Sequence, residues 1–457
     1  MGAGGYAAYV MGWADSYLGP GEPLAPAAVP PPADLNLPNA EVAGPVLQPA
    51  HGRGPAPRAL RRHVADSLAY RDLGRHLGVL VEDLSTDREL LRVGGGDSFV
   101  PASTLKLLPS TAALELLGPD HRFTTQVVQG RRPREIVLVG GGDPLLARTA
   151  STDGEPTYPE PATIRRLARG TARELRERGV RSVRLAYDDS LFAGPAESPH
   201  WEPGYVSGHV VSPISALWVD RGEDAAGFGA RVADPSLAAA QEFAAALGRA
   251  GIDVRDSPDH RRAPARSRTL ASVESPPLAQ IVQHLLEVSD NETTEVLLRH
   301  VALATGRPGS FAAGVDVARR TLKRLGVDLS GTRFFDGSGL SRKNRLTLDA
   351  LADTLRLASS PDQPDLRPVV AGLPVAGFIG TGADRFEVRA DAGLGVARLK
   401  TGTLSGVTAY AGVVLDRDGA ALTFVAVADR VQRPRTLGAR AALDTLAAGV
   451  ASCGCAR

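Results

Sequence analysis

Phe99-Val100-Pro101-Ala102-Ser103-Thr104-Leu105-Lys106-Leu107 is the stretch from which the rest of the chain can be read. Past the proline, apolar residues recur at helix spacing: Leu105, Leu108, Ala112 and Leu116 share a face until Gly118-Pro119 stops the run. Ser103 and Lys106 thus project from one side of a helix start, with Cβ atoms about 5 to 6 Å apart. A serine hydroxyl attacks poorly until a base takes its proton. A lysine can be that base if burial or a second cation disfavours its ammonium form. The free N–H groups of a first helical turn aim at the same place and suit an anionic intermediate. Pro109 lies inside the run and is expected to kink or reset the helix, at a cost of about 3 kcal/mol in an ideal helix interior.

Two further motifs give this pair something to act with. Ser289-Asp290-Asn291 interrupts a long helical periodicity from Leu278 to Ala304. Ser289 and Asn291, two apart on a tight turn, face one cleft: the hydroxyl can pass a proton to a leaving amine. The carboxamide can hold a substrate carbonyl while accepting from a lysine. Asp290 then points away and is structural. Lys400-Thr401-Gly402-Thr403 lies on a strand that begins at Ala397. Its ammonium and two hydroxyls can bind a carboxylate, its glycine lets substrate approach the backbone, and the Thr403 N–H can join that of Ser103 as an oxyanion hole. Lys400 is also the expected second cation beside Lys106. Each motif alone recurs by chance. In this order, on a helix start, a turn and a strand, they describe serine acyl transfer from peptides ending in a carboxylate, and from β-lactams that mimic them.

Around the motifs the pattern predicts an α/β (α+β) architecture: an antiparallel sheet flanked by helices, with a large inserted α/β module. Leu77–Asp83 and Glu89–Val93 form a hairpin, as do Thr408–Leu415 and Ala421–Ala428 across Asp416-Arg417-Asp418-Gly419. Arg435–Gly449 is a closing helix. Between them Glu135–Val139 and Val183–Tyr187 read as strands, Thr163–Gly179 and Ala238–Ala250 as helices, and Thr269–Val273 as a return to strand. The expected divisions are 1–58, a leader and a Pro/Gly/Ala-rich tether; 59–118, the first part of the catalytic domain; 119–272, the inserted module; and 273–457, the second part.

At 457 residues, two or three domains are the prior. Lys plus Arg number 52 against 51 Asp plus Glu, which gives no electrostatic case for nucleic acid. No zinc spacing, P-loop or dinucleotide fingerprint is present, so neither a metal nor a cofactor is expected. Cys453 and Cys455 are the only cysteines; one residue between them disfavours a bond, and an unstructured tail is expected. No stretch reaches the roughly 18 to 20 apolar residues of a membrane span. Met1–Leu18 is mildly apolar without a basic leading region, a poor export signal.

The chain resembles the class C low-molecular-mass penicillin-binding proteins, the D-alanyl-D-alanine carboxypeptidase/endopeptidase family. Beyond the three motifs, the likeness rests on Leu138-Val139-Gly140-Gly141-Gly142-Asp143-Pro144, Asp188-Asp189-Ser190-Leu191-Phe192, Ser212-Pro213-Ile214-Ser215-Ala216-Leu217, Asp336-Gly337-Ser338-Gly339-Leu340-Ser341-Arg342 and Leu373-Pro374-Val375-Ala376-Gly377. The 186 positions between Ser103 and Ser289 match that class, whereas class A β-lactamases have a far shorter interval. Those enzymes also use a Glu-x-x-Leu-Asn base segment; here the only Leu-Asn pair, Leu35-Asn36, precedes the nucleophile, which leaves Lys106 as the acylation base.

The resemblance implies a β-lactamase/transpeptidase-like fold, attack by Ser103 on the bond between two D-alanines or on a peptide cross-link, and an acyl-enzyme resolved by water. Its partners would be peptidoglycan stem peptides and β-lactams, with no cofactor. Arg342, Trp201 and Glu202 would shape the pocket for the stem-peptide side chain, with Glu202 facing a free amine. The location implied is extracytoplasmic, although the start of the chain is a poor export signal. The rival readings are a β-lactamase, and a catalytically idle penicillin-binding sensor or scaffold.

Overall fold

Strands with apolar residues at almost every position are buried on both faces, and two such strands, β1 (Leu77–Asp83) and β10 (Ala421–Ala428), lie at the middle of the main sheet. A computed structural model of the chain describes residues 52–150, 157–224 and 229–455. The expected leader and most of the tether lie outside the described residues; the first described helix is α1 (Pro57–His63). Helices of seven or more residues are numbered here in chain order.

The main sheet runs β2-β1-β10-β9-β8, antiparallel throughout, with β2 (Arg88–Val93), β9 (Val407–Leu415) and β8 (Ala397–Leu404) completing it. Strand alternation divides its side chains between two cores. Leu80, Ala409, Ala411, Val425 and Val427 meet the core that contains α2 (Leu107–Leu117). Val79, Val81, Leu399, Tyr410, Phe424 and Ala426 meet α9 (Thr436–Ala451) on the other side. The β9–β10 turn is held by Asp416, whose carboxylate accepts the N–H groups of Asp418 and Ala420 at 3.0 and 2.8 Å. Strand β8 is the edge of this sheet, and from Lys400 onward no strand among the described residues covers its outer side.

The residues before α2 do not continue it as α-helix. Ala102–Lys106 form a 3-10 turn, so α2 starts at Leu107 and Pro109 falls in its first turn, where backbone N–H groups have no intrahelical acceptor. The kink expected from Pro109 is therefore absent, and the proline marks the reset from 3-10 to α.

A second sheet, β6-β5-β4-β3-β7, uses β3 (Thr124–Gln129), β4 (Glu135–Val139), β5 (Ser182–Asp188), β6 (Asp253–His260) and β7 (Thr269–Glu274). It is mixed: β4–β5 and β5–β6 are parallel, β3–β4 and β3–β7 antiparallel. Helices α3 (Ile164–Glu177) and α4 (Pro235–Arg249) pack on it around a core of their own, each started by a side-chain cap, Thr163 to the Arg166 N–H and Asp234 to the Leu237 N–H. The sequence pattern gave no sign of β6, because Asp253–His260 is polar at almost every position and sits at the sheet edge.

The junction of α5 (Leu278–Val288) and α6 (Asn291–Leu303) carries Ser289 and Asn291, with α2 and α7 (Phe311–Arg324) packed on α6, while α8 (Leu348–Ser359) packs on the main sheet. At the far end the expected loose tail is not found. Helix α9 runs on to Ala451, Cys453 is buried beside it, and Cys453 and Cys455 are bonded as a disulfide. The Ala56 N–H donates to the Cys455 carbonyl at 2.9 Å, tying the two ends together ahead of α1. Among the described residues no helix is long and apolar enough to cross a membrane.

Candidate active site

One 3-10 turn places Ser103 and Lys106 side by side, and the Lys106 Nζ lies 2.8 Å from Ser103 Oγ. The residue before the serine, Ala102, is fully buried and held in the left-handed region at φ 48°, a local strain that aims the hydroxyl into the cleft. That conformation is backed by Gly339, where a Cβ would stand 1.9 Å from the Ala102 carbonyl oxygen.

Lys106 is wholly buried, and all three of its N–H protons are engaged: with Ser103 Oγ, with Asn291 Oδ1 at 2.8 Å and with the Ser338 carbonyl at 2.8 Å. Two of these three partners, both carbonyl oxygens, can only accept. When the lysine is neutral, its two remaining protons stay with those carbonyls and its lone pair faces Ser103. Burial lowers the ammonium to about 8, against the opposing pull of the carboxylates of Glu295, Asp290, Asp336 and Glu292. The expected lever on Lys106, a second charge at Lys400, is thus replaced by burial. The influence runs the other way: Lys400 is held well below the usual lysine range by burial first and by the charge of Lys106 second.

The Ser338 carbonyl is presented by a buried clamp that sequence reasoning missed. Glu295 lies one helical turn after Asn291 on α6. One of its oxygens accepts the Ser338 N–H at 2.8 Å and the Ser338 hydroxyl at 2.5 Å, and the other accepts the Gly337 N–H at 2.9 Å. Asp336 closes the loop by accepting from the N–H groups of Ser341 and Gly339, the Asn344 amide and the Trp201 indole. Both carboxyls are raised above the usual range, chiefly by burial. The one sequence signal was the spacing Asn291 to Glu295, which puts both on one helix face.

The second motif turns between α5 and α6. Ser289 ends α5 in the left-handed region at φ 62° and is half-buried. Asp290 caps α6, accepting the Thr293 N–H and hydroxyl at 2.9 Å each, and pairs with Arg221 at 3.5 Å, so it faces away from Ser103. Asn291 turns its oxygen to Lys106 and its nitrogen to the Val210 carbonyl at 3.2 Å.

On β8, alternation sends Lys400 and Gly402 toward the nucleophile turn and Thr401 and Thr403 to the opposite face. Lys400 is fully buried and donates to the Thr401 carbonyl at 3.0 Å. The Thr401 hydroxyl lies 2.8 Å from that of Thr381, and Thr403 is exposed. Gly402 was expected to admit substrate; its missing side chain instead faces protein. A Cβ there would meet the Pro101 carbonyl oxygen at 2.8 Å and the Ala102 Cβ at 3.3 Å. Gly402→Ala should therefore push the nucleophile turn and lower acylation of Ser103 on the order of 10²-fold. Stopped-flow labelling by a fluorescent penicillin measures this, and an unchanged rate would return the glycine to a substrate-side role.

Of the three residues expected around a side-chain pocket, Trp201 stands apart from the other two. Trp201 donates its indole N–H to Asp336 at 3.0 Å and stands edge-on to Phe311, which makes it a buttress of the 336–341 loop. Arg342 donates to the Ser405 carbonyl at 2.9 Å, and its charge and that of the exposed Glu202 both act on the Tyr205 hydroxyl. Tyr205, the last residue of the segment Trp201-Glu202-Pro203-Gly204-Tyr205, is thus the neighbour that Arg342 and Glu202 share.

Comparison with known proteins gives a consistent result. The family model described as the D-Ala-D-Ala carboxypeptidase 3 (S13) family matches residues 60–227 and 223–450. The carboxypeptidase DacB of Mycolicibacterium smegmatis is 37% identical over 437 residues, which is 94% of this chain and 91% of that protein. The D-alanyl-D-alanine carboxypeptidase of Actinomadura sp. (strain R39) is 30% identical over 426 residues, covering 75% of this chain and 76% of the relative. Among solved structures, penicillin binding protein 4 (dacB) from Haemophilus influenzae shares the fold with a TM-score of 0.69 at 20% identity, over 85% of this chain and 98% of that one.

Proposed function

The chain belongs to the D-Ala-D-Ala carboxypeptidase 3 (S13) family, and from that premise we propose how its own residues perform the reaction. It is a serine-type carboxypeptidase that releases the terminal D-alanine of peptidoglycan stem peptides through an acyl-enzyme on Ser103. The observation that carries the residue assignment is the triply bonded Lys106, whose lone pair, once the proton is lost, has only Ser103 Oγ to face.

In this reading neutral Lys106 takes the Ser103 proton as Oγ attacks the carbonyl of the penultimate D-alanine. The N–H groups of Ser103 and Thr403 hold the oxyanion, since an edge strand and a helix start both present donors there. Collapse of the tetrahedral intermediate breaks the C–N bond. The proton on Lys106 reaches the leaving nitrogen through the Ser289 hydroxyl, and D-alanine departs. Water then attacks the ester with Lys106 again as base, and Ser103 regains its proton. Thr401, Thr403 and the field of buried Lys400 receive the terminal carboxylate. Arg342, Glu202 and Tyr205 meet the stem-peptide side chain farther out.

The same chemistry accepts a cross-link amide in place of the terminal one, which makes the enzyme an endopeptidase as well, and a β-lactam in place of either, which acylates it. Such substrates put the enzyme outside the cytoplasm. Incubation with diacyl-D-Ala-D-Ala and with purified muropeptides, followed by product identification, tests the reading. D-alanine release is expected, and its absence with both substrates would defeat it. Ser103→Ala should abolish release and penicillin labelling together, while labelling that survives would move the nucleophile elsewhere.

A further inference from the structure

Outside the three motifs, one loop touches both walls of the cleft. Pro374–Ala376 runs along the outer edge of β8: the Leu399 N–H donates to the Pro374 carbonyl and the Ala376 N–H to the Ala397 carbonyl, each at 2.9 Å, with Val375 opposite Arg398. This pairing stops at Gly377, whose φ of 77° turns the chain away and where a Cβ would strike Leu394 at 2.3 Å. From Lys400 onward, no strand among the described residues covers that edge.

The chain then folds back tightly, Gly377 N–H to the Gly382 carbonyl at 2.9 Å, and lays Gly380 against the end of α5. Gly380 has φ 60°, and a Cβ on it would sit 2.4 Å from the Glu287 carbonyl oxygen, two residues before Ser289. The next residue, Thr381, reaches Thr401 with its hydroxyl at 2.8 Å. The loop is thus wedged between the turn that carries Ser289 and the strand that carries Lys400 and Thr401, and it ends in one polar contact.

That contact has a direction once an anion is present. A hydroxyl has one proton to give and two lone pairs to receive with. Lys400 is fully buried and donates to the Thr401 carbonyl, while Thr401 and Thr403 stand at the strand edge with hydroxyls that can meet a carboxylate. If Thr401 donates its one proton to a carboxylate it cannot also donate to Thr381, so in their 2.8 Å contact Thr381 is the donor and Thr401 Oγ1 the acceptor. We propose that Thr381 is a positioning residue for carboxylate recognition: by donating to Thr401 Oγ1 it fixes the Thr401 proton on the substrate's terminal carboxylate, and so sets the preference for carboxylate-ended peptides.

The inference rests on the carboxypeptidase reading of this site, and its test separates the two. Thr381→Val keeps the shape and removes the donor; Thr381→Ser restores the donor. The substrates are diacyl-D-Ala-D-Ala and the same peptide ending in D-alaninamide, and the acylating agents are benzylpenicillin and its methyl ester. Thr381→Val should raise KM for the acid about tenfold, with kcat within about twofold, and leave the amide unchanged, since the Thr401 proton is then no longer held on the charged carboxylate. Acylation by benzylpenicillin should slow by a similar factor, acylation by its ester should not, and Thr381→Ser should recover both. Equal losses on acid and neutral partners, no loss at all, or failure of serine to rescue would overturn the proposal. If the wild type releases no D-alanine, the carboxypeptidase reading fails, and the penicillin pair still reads Thr381. Should the valine variant not fold, Thr381→Ala gives the same comparison.

Discussion

Lys106→Met is expected to slow acylation of Ser103 about 10⁴-fold, the upper range for loss of a general base, in a protein that still folds. The substitution keeps length and volume and takes a charge out of a wholly buried position, which removes its desolvation cost. It leaves the Asn291 and Ser338 oxygens without a donor, at about 1 to 3 kcal/mol each, so a modest fall in melting temperature accompanies the loss. The wild-type pH profile carries the same information. The ammonium has no lone pair, so log kcat/KM should rise with pH and level off near 8, where burial sets the Lys106 proton. As pH falls below that value, each unit removes about tenfold of the active form. A flat profile between about pH 6 and 8, or a methionine variant that retains a few per cent of the acylation rate, would take the base role away from Lys106.

The parts of this arrangement that a sequence shows are those carried by period and by local chemistry. Ser103 and Lys106 on one face, Asp290 in a structural role and β8 through Lys400 all follow from spacing within a few residues, and the structure has them in those places. What it does not show depends on partners far along the chain. Gly402 is a glycine because Pro101 and Ala102 stand against it, roughly 300 positions away in sequence, and nothing in Lys-Thr-Gly says so. Lys400 looked like a ligand for carboxylate, yet its ammonium is buried behind the strand, a matter of which face the sheet covers. Strand β6 was invisible because an edge strand can be polar on both sides; it is held to β5 by backbone pairing and by polar contacts such as those of Asp253 and Arg255 with Ser182. Thr381 and Glu295 carried no motif at all, and each matters through groups that the fold brings to it from elsewhere in the chain.

Glu295→Gln should therefore produce the second large effect, through a residue that never meets substrate. The carboxylate accepts from three protons: the Ser338 and Gly337 N–H groups and the Ser338 hydroxyl. Glutamine can satisfy those on one oxygen but must turn its NH2 toward a backbone N–H on the other side, donor against donor, at about 1 to 3 kcal/mol. The loop relieves that clash by moving, and the Ser338 carbonyl moves with it. Lys106 then keeps only Asn291 as a fixed acceptor, its lone pair is no longer confined to Ser103, and kcat should fall on the order of 10²-fold. A purely structural lesion would stop there. This one also removes the largest of the negative charges that favour the Lys106 ammonium, so the proton leaves Lys106 more readily and the rising limb of kcat/KM should move to lower pH than in the wild type. Slower turnover combined with a limb displaced toward acid identifies the clamp as the part that sets the base. Wild-type kcat with an unmoved limb would mean that Ser338 is held by the loop itself, through Asp336, and that Glu295 only fills the core.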